Sequence, residues 1–533
     1  MSKQETVELS QEELESLLNR LSDKPAAEDI ELTKQIFESY SFIYQTLKNK
    51  NQSIKNLQRI IFGPSSEKSK DVLKHEEGQD DVDEKETEGG ASNDSDKEKA
   101  PKKRTTGKLS HADYPNAKVC PLKHESLSDK DQCPVCGRGK VHPYLQENKI
   151  IKISGNVPMM ATKYELENFR CNACGEIFKP DLPKDVCKDK YDPAAISMLA
   201  LLKYGTGMPF YRLDKFLRSL GTPFPKSTQW DLMDQNSAPF ELVFDVLCLE
   251  AAQGELFYND DTSVKFLSLE NKVNRGHEKK GRKGLQTSGI ISKVDKHKIA
   301  LFFSGHRHAG ENLESLLGLR DLNLEMPIQM CDGKRDNIPK GHETILSNCL
   351  AHARRKFVEL IDNFPEQCKF ILKVFRKIYK FDSETKEQLM SPQQRLEFHI
   401  KNSLPLMKGL YGWFAQQFKE KKIEPNSNLG TAINYMKKRW GELIKFTEVA
   451  GAPLDNNICE QALKKAILLR KNALFYKTSR GSQVGDIFIS LIQTCEMNKI
   501  NSFEFLKAVL DHKSEVLAFP QNWTPFNFRE NLI

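Results

Sequence analysis

The sequence has 533 residues, of which 38% are hydrophobic and 29% charged, and a formal net charge of +7. At about 150 residues per domain the length predicts three or four domains, and no apolar run approaches the ~20 residues that span a bilayer. The modest positive charge permits a polyanionic partner without requiring one. The first residues, MSKQETVELSQEELE, lack the basic and apolar segments of a leader, so we expect a cytoplasmic protein without membrane spans.

Residues 1–63 carry apolar positions at helical spacing, and Pro25 divides them into two predicted helices. The second helix is long enough for a coiled coil, but its heptads are irregular, so packing on a neighbouring domain remains open. Residues 64–108 contain an acidic run, a basic run and almost no apolar side chains. Such a segment cannot offset its ordering entropy by burial and predicts a disordered linker, whose basic end could touch DNA or serve as a plain tether.

Two Cys-x-x-Cys pairs lie in residues 109–190, Cys133 and Cys136 in CPVCG and Cys171 and Cys174 in CNACG. Four thiolates on two Gly-containing turns satisfy a tetrahedral Zn²⁺ site, with strands between them as in a zinc ribbon. Two unrelated cysteine pairs are the alternative. A redox role is less favoured because the flanking sequence lacks the strand-helix context of a thioredoxin motif.

Residues 191–250 predict three short helices separated by Gly-containing turns. The third would begin with Ser227 as its N-cap and present Thr228 and Gln229 in its first turn. A helix-turn-helix reads base edges from this position in the major groove. A small structural bundle explains the same pattern about as well.

Residues 251–345 change to strands, in the order strand, strand, strand, helix, strand. This is the order of a ribonuclease H-like core within a multidomain α/β protein. Asp260 lies in the first strand, Asp332 ends the fourth, and a third acid is expected on a later helix. Three such carboxylates can hold two Mg²⁺ ions, or Mn²⁺, ~3.5–4 Å apart at a phosphodiester, although each aspartate alone would suggest only surface or turn chemistry.

The stretch LDNNICEQALKKAILLRKNALF, in residues 453–500, supplies a helix with Glu460 near its start. Asp455 or Asn456 can cap its free N–H groups. Its buried stripe is Ala462, Ala466, Ile467 and Leu469, and its cations are Lys464, Lys465, Arg470 and Lys471. An ordinary amphipathic helix with a solvated basic face is the simpler interpretation of this stretch alone.

Several motifs occur together and in order: NLQRIIFGPSSEK, CPVCG, CNACG, KYGTGMPFYRLDKFLRSLG, STQW, NDDTSVKFL, CDG, CLAHARRKF, LDNNICEQA, RKNALF and SLIQTCEMNKINSFEFLKAVL. In these the chain resembles the transposases of the insertion sequence 66 family from about Leu57 to Leu510. The resemblance implies that Asp260, Asp332 and Glu460 are the catalytic acids, with Asp261 the less favoured ligand. It also implies a helical insertion at 346–452, before the catalytic helix, and a C-terminal segment at 501–533.

Near the start of that insertion, CLAHARRKF contains Cys349 and His352, a pair found in several related transposases. Two residues are too few for a zinc site, and we expect His352 to contact DNA or the active-site region. Arg354 and Arg355 follow on the same helix and suit bidentate contacts with the DNA backbone, with a solvated face as the alternative. The later cations Lys464, Arg470 and Lys471 would add to this contact.

The resemblance implies an enzyme that binds the ends of an insertion sequence, hydrolyses a strand to expose a 3'-hydroxyl and joins that hydroxyl to target DNA; whether one strand or both are cleaved stays open. It further implies a homo-oligomer and accessory proteins encoded by the same element. Three departures from the family pattern keep open a catalytically inactive DNA-binding protein: DDTS after Asn259, GKRDN after Asp332, and Gln461 beside Glu460. A repair nuclease of ribonuclease H type is a third alternative, against which the zinc motifs and FGPSSEK argue.

Overall fold

The computed structural model of the chain describes residues 189–267 and 285–532 continuously, and scattered residues between 128 and 183. The predicted N-terminal helices, the linker and three of the four zinc-motif cysteines lie outside these residues. Contacts divide the chain into two compact units, one of them Asp81–Met160. In that unit an antiparallel bridge joins Gln132 to Lys140 on either side of the CPVC sequence.

In the other unit, short antiparallel strands β1 (Phe169–Arg170) and β2 (Ile177–Phe178) flank the CNAC sequence. Cys174, between them, is an exposed free thiol. The main element of this unit is a five-stranded mixed sheet. Its strands are β3 (Leu256–Ser263), β4 (Gln286–Val294), β5 (His297–Gly305), β6 (Ile328–Cys331) and β7 (Ile345–Asn348), in the spatial order β5-β4-β3-β6-β7.

Strands β3, β4 and β5 are antiparallel neighbours, whereas β6 and β7 run parallel to β3. Asp295, at a φ of 50°, makes the predicted turn between β4 and β5. Helix α5 (Ala309–Leu317) connects β5 to β6, so the order strand, strand, strand, helix, strand is confirmed. Strand β7, of only four residues, was not predicted from the sequence.

Within residues 189–255, four α-helices precede the sheet, and a π-helical turn (Leu201–Gly205) follows the first of them. They are α1 (Pro193–Ala200), α2 (Phe210–Ser219), α3 (Lys226–Gln235) and α4 (Ala238–Ala252). The prediction of three helices was wrong at the third, because that stretch forms two helices, α3 and α4. Pro239 lies in the first turn of α4 and has no N–H to continue a helix from α3, so the chain breaks at Ser237. Helix α3 also begins at Lys226, one residue before the predicted cap at Ser227.

Between β7 and the next long helix lie α6 (Leu350–Val358), α7 (Pro365–Glu387), α8 (Pro392–Asn402), α9 (Leu404–Lys419), α10 (Asn428–Lys438) and α11 (Trp440–Leu443). They share a hydrophobic core that includes Phe357, Phe375 and Phe414, all fully buried. The predicted helical segment after Asp332 is therefore present and has a core of its own. Among the helices of the described residues, none combines the length and apolar character needed to cross a membrane.

Helix α12 (Asn457–Ala473) then returns to the sheet, followed by α13 (Ser479–Met497), α14 (Ser502–Asp511) and α15 (Lys513–Ala518). The predicted stripe of α12 is buried at Ala462, Ala466 and Leu469 and half-buried at Ile467. Its N-cap, Asn456, makes no capping bond with its side chain. Asp455 instead accepts a hydrogen bond from the N–H of Asn457 at 3.2 Å.

Helix α13 covers edge strand β5 through matched spacings. The backbone N–H groups of alternate strand residues donate to side chains four residues apart, in the pairs Lys298–Asn498, Ala300–Thr494, Phe302–Ser490 and Ser304–Asp486, at 2.7–3.0 Å. Four residues rise ~6.0 Å in a helix and two rise ~6.6 Å in a strand, so the two series stay in step. The helix thereby satisfies backbone N–H groups of β5 that would otherwise be free to pair with another strand.

Candidate active site

Asp260 and Asp332 lie at the same level of the sheet on adjacent parallel strands. Tyr258 of β3 is in register with Met330 of β6, and each aspartate follows two residues later. Side chains two apart on a strand share a face, so both carboxylates lie on one side where β6 ends. Asp332 is buried and Asp260 is half-buried.

Asn337 links the two carboxylates. It ends a short 3-10 turn after β6 (Arg335–Asn337) and is only 1% exposed. Its side-chain nitrogen donates to Asp332 Oδ1 at 2.8 Å and contacts Asp260 Oδ1 at 3.3 Å. Its carbonyl accepts from the amides of Asn259 and Gln329, at 2.7 Å each. Buried hydrogen bonds to its backbone carbonyl thus fix Asn337, whose side-chain amide joins the two acids.

The pKa values of the two acids are shifted in opposite directions. Burial raises the pKa of Asp260, the negative charge of Asp332 adds to this effect, and hydrogen bonds from Asp261 N–H and Asn337 oppose it. Burial also raises the pKa of Asp332, but backbone and ammonium hydrogen bonds from Lys334 outweigh burial, and that pKa lies below its usual value. The Lys334 ammonium is 3.0 Å from Asp332 Oδ2. The site therefore attracts a cation to two carboxylates that repel each other.

Asp261 faces away from this pair. Its carboxylate accepts from Ser288 Oγ at 2.7 Å and lies 2.9 Å from His308 Nδ1. Successive strand residues point to opposite faces, which explains why only one of the two consecutive aspartates approaches Asp332.

Helix α12 brings Glu460 towards the sheet at a point where β4 has no side chain. Gly289, the register partner of Asp260, would place a Cβ 2.9 Å from Leu463 of α12. Cys459, fully buried beside Glu460, donates its thiol to the Gly289 carbonyl at 3.4 Å. The close approach of helix and strand at Gly289 therefore determines the position of Glu460.

Glu460 is adjacent to residues from the start of α6. Its Oε1 is 3.6 Å from His352 Nδ1 and its Oε2 is 3.9 Å from Arg355. Cys349, His352 and Glu460 present ligand atoms within 4.8 Å of one another. In the part of the chain that the structure describes, no other three His, Cys, Asp or Glu residues meet this criterion, so Glu460 is not in one tight cluster with Asp260 and Asp332.

The helical segment supports the loop after Asp332. Tyr435 of α10 donates its hydroxyl to the Asp332 carbonyl at 3.2 Å, and Arg439 donates to the Gly333 carbonyl at 3.4 Å. Gly333 has a φ of 77°, and a Cβ there would lie 2.8 Å from Asn348 Oδ1. Only glycine combines this conformation with this close approach.

The predicted DNA contacts fall into distinct environments. Gln229 is fully buried and donates to the Phe224 carbonyl at 2.6 Å, so it does not face a surface where a base edge could lie; Thr228 beside it is half-buried. Arg354 is buried, whereas Arg355 is exposed over 39% of its side chain. Lys464 and Lys471 are exposed.

Arg470 connects two elements of the fold. Its guanidinium donates to Thr262 Oγ1 at 3.1 Å and Ser263 Oγ at 2.8 Å, which ties the end of α12 to the end of β3. Sequence reasoning did not anticipate this role, nor that of Asn337. For Asn337 the available signal was a polar residue shortly after the strand that carries an expected catalytic acid.

A mixed sheet with helices before, within and after it, and acidic side chains gathered where β6 ends, is consistent with the catalytic domain of a transposase. The comparison with known families agrees: the model of the family described as "Transposase IS66 family" matches residues 188–484, more than half of the chain. The chain belongs to this family.

Three curated proteins similar in sequence to this chain come from Sinorhizobium fredii (strain NBRC 101917 / NGR234) and carry the description "uncharacterized protein". The protein y4hP is 24% identical over 371 residues, which is 64% of this chain and 63% of that protein. The protein y4qI is 23% identical over 355 residues, 63% of each chain, and y4jD is 29% identical over 168 residues, 31% of this chain and 32% of the relative. The chain thus matches less than two thirds of the length of these relatives.

Proposed function

We propose that this protein is a DDE-type transposase that cleaves the ends of its element and transfers the resulting 3'-hydroxyl to target DNA. Asp260, Asp332 and Glu460 are its catalytic acids, on a ribonuclease H-like core. The pairing of Asp260 and Asp332 at one level of adjacent strands, joined by Asn337, carries the proposal. The order of the strands and the family membership support it.

The donor set suits a hard divalent cation, because Asp260 and Asp332 offer carboxylate oxygens and their mutual repulsion favours a positive charge between them. Glu460 would complete the set from α12, where its Oε1 is buried and has no hydrogen-bond partner among the described residues. Bound Mg²⁺ or Mn²⁺ would activate the attacking oxygen and stabilise the leaving oxygen of an in-line displacement.

The protein's own residues hold this set in place. Asn337 orients both aspartates, and Lys334, with 68% of its side chain exposed, can leave Asp332 when another cation arrives. Arg355 lies 3.9 Å from Glu460, and Lys464 and Lys471 are exposed on the same helix as Glu460. We assign these three cations to the DNA backbone. The reaction needs no covalent enzyme intermediate and no energy cofactor.

The other sequence-based assignments form part of the same proposal. Cys133, Cys136, Cys171 and Cys174 hold a structural Zn²⁺ on the strength of their spacing. The protein acts in the cytoplasm, as a homo-oligomer that joins two element ends, with accessory proteins from the same element.

The test uses the full chain and labelled duplexes from the DNA that flanks its coding region, with Mg²⁺ or Mn²⁺. We expect strand cleavage by the parent protein and its loss in Asp260→Asn, Asp332→Asn and Glu460→Gln. Glu325→Gln, an exposed acid in the α5–β6 loop, is the matched control and should cleave normally.

Mn²⁺ binding, followed by electron paramagnetic resonance, provides a second readout that does not depend on finding the right DNA. Asp260→Asn and Asp332→Asn should weaken it, and Glu325→Gln should not. Cleavage or Mn²⁺ binding that survives both aspartate substitutions would overturn the assignment.

A further inference from the structure

Cys349, His352 and Glu460 form a second group of ligand atoms beside the carboxylate pair. Cys349 lies at the end of β7 and is the N-cap of α6, His352 is in the first turn of α6, and Glu460 is in the first turn of α12. The cluster thus joins two helices that begin at the same place. The backbone supports this junction, since Leu350 N–H donates to the Leu454 carbonyl at 2.9 Å.

Two polar atoms of this cluster lack hydrogen-bond partners among the described residues. His352 Nδ1 and Glu460 Oε1 are both buried atoms without a hydrogen bond among the described residues, and they face each other at 3.6 Å. Buried polar atoms normally have partners, so two of them at one point indicate a missing ligand. The sulfur of Cys349 accepts from Asn456 N–H at 3.2 Å, which fixes its position.

The spacing suits a tetrahedral ion. Bond lengths of ~2.3 Å to sulfur and ~2.0 Å to nitrogen or oxygen separate the ligand atoms of a tetrahedral site with one sulfur by roughly 3.3–3.5 Å. The 3.6 Å between His352 Nδ1 and Glu460 Oε1 is close to this range, and the whole cluster, within 4.8 Å, needs a contraction of about 1 Å to bind a tetrahedral ion. One thiol, one imidazole and one carboxylate suit Zn²⁺ or Co²⁺, whereas Mg²⁺ prefers oxygen ligands alone.

We propose that Cys349, His352 and Glu460 form a binding site for a borderline divalent metal such as Zn²⁺, separate from the Cys-x-x-Cys motifs and from the Asp260–Asp332 pair. Three protein ligands leave a fourth position open. The bound ion fixes α12 to the start of α6 and holds Glu460 at His352, away from the two aspartates. The Glu460 carboxylate is therefore a ligand of two alternative metal sites. While it binds the ion at Cys349 and His352, it cannot bind a metal ion at Asp260 and Asp332.

The binding test uses Co²⁺ as a spectroscopic substitute for Zn²⁺ in the full chain. Cys349→Ser and His352→Asn should each bind one Co²⁺ fewer than the parent protein and lose part of the thiolate-to-cobalt absorption. Cys349→Ser keeps an acceptor for Asn456 N–H, and His352→Asn provides an independent variant if the serine variant does not fold. Cys248→Ser, which removes a half-buried free thiol in α4, should behave as the parent. Equal Co²⁺ stoichiometry in the parent and in a folded variant of either ligand would overturn the proposal.

A second experiment rests on the proposed catalytic function. Zn²⁺ added to the Mg²⁺-dependent cleavage reaction should inhibit the parent protein and inhibit Cys349→Ser at least tenfold less strongly. Loss of Co²⁺ binding without any change in zinc inhibition would refute the sharing of Glu460 and leave the metal site standing. An enzyme without cleavage activity would count against the proposed function alone, since the stoichiometry test decides the metal site by itself.

Discussion

The buried amide nitrogen of Asn337 lies 2.8 Å from Asp332 Oδ1 and donates a hydrogen bond to it. The same nitrogen contacts Asp260 and helps to lower its pKa against the effect of burial. Residues that orient metal ligands in this way typically contribute about 10–100-fold to metal affinity or activity.

We expect Asn337→Ala to weaken Mn²⁺ binding and Mg²⁺-dependent cleavage by about 10–100-fold. Without the amide the pKa of Asp260 rises further, so the carboxylate is protonated over a wider pH range and the defect should grow as the pH falls. Metal titrations at several pH values measure this. Asn323→Ala, an exposed control, should change neither quantity, and a pH-independent defect in Asn337→Ala would contradict the explanation.

Gly289→Ala tests the approach of α12 to the sheet. The added Cβ would meet Leu463 at 2.9 Å, and overpacking of this kind costs about 1–3 kcal/mol and displaces the helix that carries Glu460. We expect a lower melting temperature and reduced cleavage. Adding Leu463→Ala should restore much of the cleavage because it makes room for the methyl group; a double variant no better than the single one would count against this steric account.

The exposed and paired cations of α12 should behave differently in DNA binding. Lys464→Ala and Lys471→Ala should each lower the salt dependence of DNA binding by about one counterion and leave the melting temperature nearly unchanged. Arg470→Ala should lower the melting temperature, because it removes the bonds between α12 and Ser263. Salt titrations and thermal denaturation on the same samples distinguish exposed from paired cations. Equal destabilisation by all three alanine variants would contradict this distinction.

Asp486 should make the stability of the fold depend on pH. Burial raises its pKa to about 8, against hydrogen bonds from the hydroxyl and N–H of Ser304. The folded state holds a proton that the unfolded chain releases above a pKa of ~3.9, so stability is full below that value and decreases as the pH rises towards 8.

Asp486→Asn keeps a donor and an acceptor like those of the protonated acid. It should therefore remove much of the loss of folding stability as the pH rises towards 8. Thermal denaturation between pH 5 and 8 measures the effect. Wild-type and variant curves that stay parallel over this range would show that Asp486 is not the group responsible.

Much of the central fold followed from periodicity. The β4–β5 hairpin, helix α5 and the buried stripe of α12 appeared where alternation and helical spacing placed them, because those patterns reflect which face is buried. The break between α3 and α4 was missed although Pro239 marks it. Strand β7 was missed because four residues carry too short a pattern to separate a strand from the following helix.

The candidate site could be predicted only in part from sequence patterns. The sequence pointed to Asp260, Asp332 and Glu460 through strand order and motifs, and it pointed equally to Gln229, Arg354 and Arg470. Whether a polar side chain faces solvent or a buried partner depends on packing, whether that partner is near or far along the chain. Gln229 lies against Phe224, but Arg470 contacts Ser263, 207 positions away.

By itself the sequence determined the family and most of the order of elements, and it predicted the residues that carry chemistry, because these depend on local patterns and motifs. The tertiary structure alone decided how those residues meet. Register between β3 and β6 brings Asp260 beside Asp332, Asn337 joins them, and the absence of a side chain at Gly289 lets α12 approach. It also decided that Glu460 lies beside Cys349 and His352, since a distance between residues more than a hundred positions apart is set by packing and not by spacing in the chain.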